Sequence, residues 1–214
     1  MRYIEERVEA SRNFANKMWN AARFILMNLK DEAVKPIELD SLALEDKWIL
    51  SKYNTLVAGV TENLDRYELG LAVQKLYDFI WDVFCDWYIE ITKSRLNGED
   101  EAAADVARSV LVHVFTGTLA LMHPFMPFIT EEIWQSIPHE GEALIVAQWP
   151  EVREELAFKA ECDMMESVMA AIRAIRNRRT EMNVPPSKKA ALYVLIAKPQ
   201  VFHEGEGFLQ RLAY

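Results

Sequence analysis

The chain has 214 residues, 51% of them hydrophobic, with 24 Lys and Arg against 33 Asp and Glu for a formal net charge of −9. That apolar fraction supports a buried core and excludes a disordered chain, and the length suits one or two domains. Seven Gly and eight Pro exclude collagen-like and low-complexity sequence and disfavour a turn-rich all-β fold. Two cysteines, Cys85 and Cys162, supply neither a disulfide framework nor a four-thiolate zinc site, which fits a reducing, cytoplasmic setting. The opening residues, Met1 to Glu6, are charged and lack the apolar run of a signal peptide.

Helical periodicity dominates. The spacing predicts a first helix over about Glu5–Leu29, with Phe14, Met18, Ala21, Ala22, Ile25 and Leu29 on one side. Arg12, Asn16, Asn20 and Arg23 form a polar stripe about 80° wide on the other, at ~100° per residue. A second helix is expected from about Leu44 to Asp65, with Asp40 or Ser41 as its cap. A third, from Glu68 to Leu96, ends at Asn97-Gly98, residues that tolerate positive φ. A fourth covers Glu101–Met122. The stretch from Ser109 to Thr130 lacks Asp, Glu, Lys and Arg and is nearly long enough to cross a membrane. Its His113, His123, Pro124 and Pro127 instead mark a buried helix broken at Pro124. Thr130 is expected to cap a short helix running through Trp134, and residues 138–151 to form an irregular connector.

Beyond that connector, a helix over Glu154–Met182, a buried strand at Ala191–Ile196 and a helix over Gln200–Leu212 are expected. The fold class is therefore mainly α. An antiparallel helical bundle (1–150) is followed by a small α+β portion (151–214). One strand makes no sheet and the last residues carry no ending signal, so the portion reads as truncated at its C-terminus and the chain as a fragment.

Catalytic signatures are missing. There is no Gly-rich phosphate loop and no Gly-x-Ser-x-Gly. His113, His123, His139 and His203 fall in no metal-ligating spacing. Cys85 sits on an apolar face and reads as a core thiol. Asp78, Asp82, Asp86 and Glu90 repeat every four residues, as a solvated helix face does. No catalytic residue and no metal site is assigned.

Binding chemistry is more legible. Residues 1–30 carry a net +3, 31–100 −8, 101–170 −9 and 171–214 +5, so both ends are basic around an acidic middle. The stripe of Arg12, Asn16, Asn20 and Arg23 offers guanidinium forks and amides of the kind that read exposed base edges. The same amides also serve to bridge neighbouring helices. Trp48 and Lys52, four residues apart, pair a stacking ring with a phosphate-binding ammonium, or else Trp48 belongs to the core. Arg173, Arg176, Arg178 and Arg179, followed by Lys188 and Lys189, form a basic cluster suited to phosphates or to surface ion pairs. On residues alone, an RNA-binding module and a structural or protein-interaction bundle with no RNA role both remain open.

Four segments narrow the choice. Arg12-Asn13-Phe14-Ala15-Asn16-Lys17-Met18-Trp19-Asn20-Ala21-Ala22-Arg23-Phe24 resembles the start of the anticodon-binding region of valyl-tRNA synthetases. So do Tyr77 to Glu90, with its Phe-Cys-Asp-Trp-Tyr block, and Glu181 to Lys189. His123 to Trp134, opening His-Pro-Phe-Met-Pro, resembles isoleucyl and leucyl relatives as well. The resemblance spans nearly the whole chain. It implies a helical bundle that follows a Rossmann-type catalytic domain and grips the stem-loop of a valine tRNA, whose anticodon has adenine in the middle and cytosine third. It favours a base or phosphate contact from Asn20 and Arg23, in the stripe with Arg12 and Asn16. It leaves Asn16 open to an internal role, and Trp48 and Lys52 open between anticodon contact and core. The basic cluster itself offers Arg173, Arg176, Arg179, Lys188 and Lys189 for backbone phosphates. The His-Ile-Gly-His and Lys-Met-Ser-Lys-Ser signatures and the trailing coiled coil are lacking here. The piece is thus expected to be inactive alone, with no cofactor of its own. ATP and magnesium, and ligation of valine to its tRNA, would belong to the parent enzyme and its catalytic domain, in the cytoplasm and away from membranes.

Overall fold

The periodicity of the first segment is realised as helix α1, Glu5–Asn28, which seals Phe14, Met18, Ala21, Ala22 and Ile25 against the rest of the protein. A computed structural model describes residues 5–29, 34–185, 187–189, 191, 193, 203 and 205–213. They fall into two compact units, Met1–Ala157 and Phe158–Tyr214.

In the first unit, α1 is followed by a 3-10 turn, Leu39–Ser41, and by α2, Leu44–Asp65. Next comes one long rod made of α3 (Leu69–Asp78), an eleven-residue π-helical stretch (Phe79–Ile89) and α4 (Glu90–Leu96). Helices α5 (Glu101–Met122) and α6 (Pro127–Ser136) complete it, with short 3-10 turns at Leu144–Val146 and Glu154–Leu156. Helix α2 packs on α3 and α5, α4 on α5, and α1 on the π stretch, α5 and α6. By length and composition α5 is apolar enough to cross a membrane, but it is the central rod of this unit. Val110, Leu111, Val114, Phe115, Leu119 and Leu121 along it are buried. Its Gly117 is required by packing: a Cβ there would lie 1.8 Å from Oη of the buried Tyr53.

Polar bonds hold the ends of these helices. Arg108 of α5 donates from Nε to the carbonyl of Asn28 at 2.8 Å, bringing a cation to the negative end of α1, whose own last turn has no basic residue. Asp46, 0% exposed, accepts from Tyr88 Oη at 2.7 Å, from Arg95 at 2.7 Å and from the backbone N–H of Ala43 at 3.1 Å. Glu45 also meets Arg95, at 3.1 Å. Burial, reinforced by the neighbouring Asp46 carboxylate, holds the Glu45 carboxyl above its usual range. The connector beyond α6 is irregular but strapped to α2. Asn54 exchanges hydrogen bonds with the backbone of Arg153, Ser51 donates to the carbonyl of Leu156, and Trp149 Nε1 donates to Thr61 Oγ1 at 2.9 Å.

The second unit contains α7, Lys159–Glu181, and α8, Glu206–Leu212, which pack together. Helix α7 ends with Asn183 in the left-handed region at φ 53°, while the N–H of Val184 returns to the carbonyl of Arg179 at 2.9 Å.

Several expectations need correction. No strand occurs among the described residues, so the small α+β portion is not borne out; most of Ala191–Ile196 lies outside the described residues. Neither Asp40 nor Ser41 caps α2. They lie in the preceding 3-10 turn, and Ala43 takes the cap position with its N–H bonded to Asp46. Gly98 ends α4 without entering the left-handed region. Helix α6 starts at Pro127 rather than after Thr130, because proline suits the first helical position. Thr130 instead bonds back to the carbonyl of Met126 at 2.8 Å and to His123 Nδ1. Helix α7 begins at Lys159, since Glu154–Leu156 is a separate turn bound to α2.

Candidate nucleic-acid interface

Sealing one side of α1 leaves the opposite side to solvent. Arg12, Asn16, Asn20 and Arg23 are all exposed there, along about 16 Å of helix at 1.5 Å per residue. Arg12 meets Glu9 at 3.1 Å in a surface ion pair, which costs little to exchange for another anion. The side chains of Asn16, Asn20 and Arg23 have no hydrogen-bond partner among the described residues. Two amides and a guanidinium are thus presented side by side. Amides offer both donor and acceptor, and the guanidinium a planar fork of donors, which together match base edges and phosphate oxygens. Lys17, at the border of this face, is already engaged. It lies 2.6 Å from Asp86 and 4.6 Å above the Trp81 ring, which continues a stack from Phe14 through Tyr77. That stack joins α1 to the π stretch and fixes which side of α1 faces outward.

The pair on α2 does not form a stacking platform. Trp48 is 1% exposed, in the buried first turns of α2 that also carry Glu45 and Asp46. Lys52 is half-buried and has a partner of its own. The reading of Trp48 as a base-stacking ring is therefore withdrawn on the ground of burial.

In the second unit the basic residues divide. Arg179 spends its guanidinium on the carbonyls of Pro185 and Lys188, at 3.1 and 2.7 Å, and so shapes the loop after α7. Arg176 donates to the carbonyl of Leu212 at 2.6 Å, tying α7 to α8. Arg178 pairs with Glu181. Arg173, Lys188 and Lys189 are exposed. The arginines expected to grip phosphates are thus partly structural, and the loop they hold projects the two lysines.

One exposed residue on α1 escaped the sequence reading. Trp19 is 49% exposed, three residues from Asn16 and four from Arg23. Its position just beside the polar stripe is a visible signal, masked by the expectation that helical tryptophans belong to cores.

Other reactive groups are inert. Cys85 is buried, and its thiol is pushed up to about 12 by burial, outweighing the nearby Lys17 ammonium. His113 lies edge-on to Tyr53 at 5.7 Å, with Nε2 buried and unpartnered. Burial, with the positive charge of Arg153, keeps its imidazole pKa below the ordinary range. The acidic run Asp78, Asp82, Asp86 and Glu90 is exposed, and Asp86 and Glu90 pair with Lys17 and Lys93. Among the described residues, no group of three or more His, Cys, Asp or Glu is placed to hold a metal ion.

The sequence profile described as the anticodon-binding domain of tRNA ligase matches residues 46–195. The chain belongs to this family. Its likeness to curated relatives extends over α1, which lies ahead of that span. Valine–tRNA ligase of Clostridium acetobutylicum is 48% identical over 217 residues, covering 100% of the chain and 25% of the relative. The Geobacillus stearothermophilus valine–tRNA ligase is 47% identical with coverage of 100% and 24%, and that of Carboxydothermus hydrogenoformans 49% with 94% and 23%. This anticodon-binding domain thus spans about a quarter of the length of the relatives it matches. Among solved structures, the ternary complex of Agrobacterium radiobacter K84 agnB2 LeuRS with tRNA and LeuAMS shares the fold. The TM-score is 0.56 at 16% identity, over 92% of this chain and 25% of that one.

Proposed function

We infer that this chain is the anticodon-reading part of a valine–tRNA ligase and that the exposed side of α1 is its reading surface. The observation that carries the reading is the set of unpartnered donors at Asn16, Asn20 and Arg23, held outward by a sealed opposite face. The high identity to valine–tRNA ligases across the whole chain, α1 included, supports valine as the amino acid. Bases splayed from the anticodon loop lie across α1, where the amides meet their edges and Arg12 and Arg23 meet edges or phosphates. In the second unit, Arg173, Lys188 and Lys189 neutralise backbone phosphates. Arg176 and Arg179 act through the helix contact and the loop that they hold.

On this reading, ATP, magnesium and the ligation of valine to its tRNA belong to the catalytic remainder of a longer cytoplasmic polypeptide. The present chain supplies recognition and no chemistry. Titration of the chain with the anticodon stem-loop of a valine tRNA tests this. Affinity is expected to fall as salt rises and to drop further for a scrambled loop. Arg23→Ala is expected to weaken binding and to flatten the salt dependence by about one counterion. Equal affinity for the native and scrambled loops at low salt would refute the reading.

A further inference from the structure

Among the described residues, Trp19 is the tryptophan that stands exposed. Trp48 and Trp134 are buried, Trp81 is stacked on Tyr77 beneath Lys17, Trp87 is half-buried with a partner of its own, and Trp149 is bonded to Thr61. The Trp19 ring stacks on no other ring, and its indole N–H has no acceptor, among the described residues. The side chain belongs to a second apolar line along α1, with Val8 at 50% and Leu26 at 38% exposed. Residues three and four apart on a helix are surface neighbours, so Asn16 and Arg23 flank the ring on either side.

We propose that Trp19 is the stacking platform of the α1 surface: one unstacked base of the anticodon loop lies flat on its indole while Asn16 and Arg23 meet the edge of the same base. The inference rests on the functional reading above and adds the residue that binds the base by its face. The chemistry of the neighbours favours a base over an apolar protein partner. A protein docked on Val8, Trp19 and Leu26 would take water from the Asn16 amide and the Arg23 guanidinium and would have to supply acceptors for both beside an apolar contact. A base on the ring keeps its polar edge free in its own plane, within reach of side chains three and four residues away on the same helix. Stacking also tolerates any base, because each has a π face. Trp19 therefore supplies affinity, whereas the amides and guanidinium supply choice.

The test compares Trp19→Phe, Trp19→Leu and Trp19→Ala with the unaltered chain. Each is titrated with a valine stem-loop and with the same loop carrying a changed middle base, after circular dichroism has shown unchanged helix content. Trp19→Ala and Trp19→Leu are expected to weaken both complexes by the same factor, about ten-fold, leaving their ratio intact. Trp19→Phe is expected to recover most of the loss. Leucine binding RNA as tightly as tryptophan would overturn the proposal and mark the line as a protein-docking face. If the unaltered chain separates the two loops but Trp19→Ala binds as well as it does, stacking falls and the α1 reading stands. If the unaltered chain fails to separate them, that reading falls and the proposal with it.

Discussion

Replacing Asp46 by alanine tests the packing argument where it is most exposed to error. The carboxylate has no access to solvent and is the shared acceptor for Arg95, Tyr88 and the N–H of Ala43. Its removal leaves the Tyr88 hydroxyl and the Ala43 N–H without acceptors, and leaves Arg95 with the Glu45 carboxyl at 3.1 Å and the carbonyl of Ala103 at 2.9 Å. Arg95 Nε is already buried without a partner. Truncating one member of a buried ion pair costs about 3–5 kcal/mol, most of it from stranding the other. Glu45 remains to share the charge, which favours about 3 kcal/mol. With a urea slope of about 2 kcal/mol per molar, the unfolding midpoint should fall by about 1.5 M. Tryptophan fluorescence is the appropriate assay, because Trp19, Trp48, Trp81, Trp87, Trp134 and Trp149 all lie within Met1–Ala157 and report that unit alone. Replacing all three charged members together, Glu45→Leu, Asp46→Leu and Arg95→Met, should recover part of the loss, since no charge is then stranded and only the Tyr88 hydroxyl and the Ala43 N–H lack their acceptor. A loss below about 1 kcal/mol for Asp46→Ala would refute the view that this cluster holds the start of α2 to α4.

Other perturbations give further checks. Gly117→Ala forces a methyl against the buried Tyr53 ring and should cost about 1–3 kcal/mol in the same urea assay. The lowered pKa of buried His113 means that the unfolded chain takes up a proton near pH 6.5 while the folded one resists. The His113 contribution is thus favourable above that pH and is lost as pH falls below it. His113→Phe should flatten the decline in urea midpoint between about pH 7 and pH 5 relative to the unaltered chain. Arg179→Ala releases the carbonyls of Pro185 and Lys188, and faster amide exchange is expected at Lys188 and Lys189, read by hydrogen–deuterium exchange.

The helical architecture and the two sides of α1 were legible because both rest on local periodicity. Phe14, Met18 and Ile25 recur on one face, and the polar stripe falls opposite to them whatever the rest of the chain does. Ala107, Val110, Leu111 and Val114 likewise mark α5 as a core rod before any contact is known. What escaped depends on distant partners. Trp48 and Lys52 share a helix face, but the start of α2 is buried because Arg95, some fifty positions on, neutralises Glu45 and Asp46 there. The π stretch over Phe79–Ile89 follows a spacing that an ordinary helix also satisfies, and α1 packs directly on it. Arg176 and Arg179 read as free cations in sequence, because hydrogen bonds to backbone carbonyls leave no compositional trace. Trp19 was missed for the opposite reason, since composition assigns tryptophan to cores and only the packing reveals which one is left outside.

The central claim is that the uncovered amides and guanidinium of α1 choose among anticodons. Its most direct test is the affinity of the chain for a valine stem-loop against the same loop with only the middle adenine replaced, measured at one fixed salt concentration. A loss of about 1–3 kcal/mol is expected for the unaltered chain, by analogy with the cost of single mismatches at sequence-specific DNA sites, shrinking when Asn16 and Asn20 are both changed to alanine. Equal affinity for the two loops, or a preference untouched by removing both amides, would contradict it.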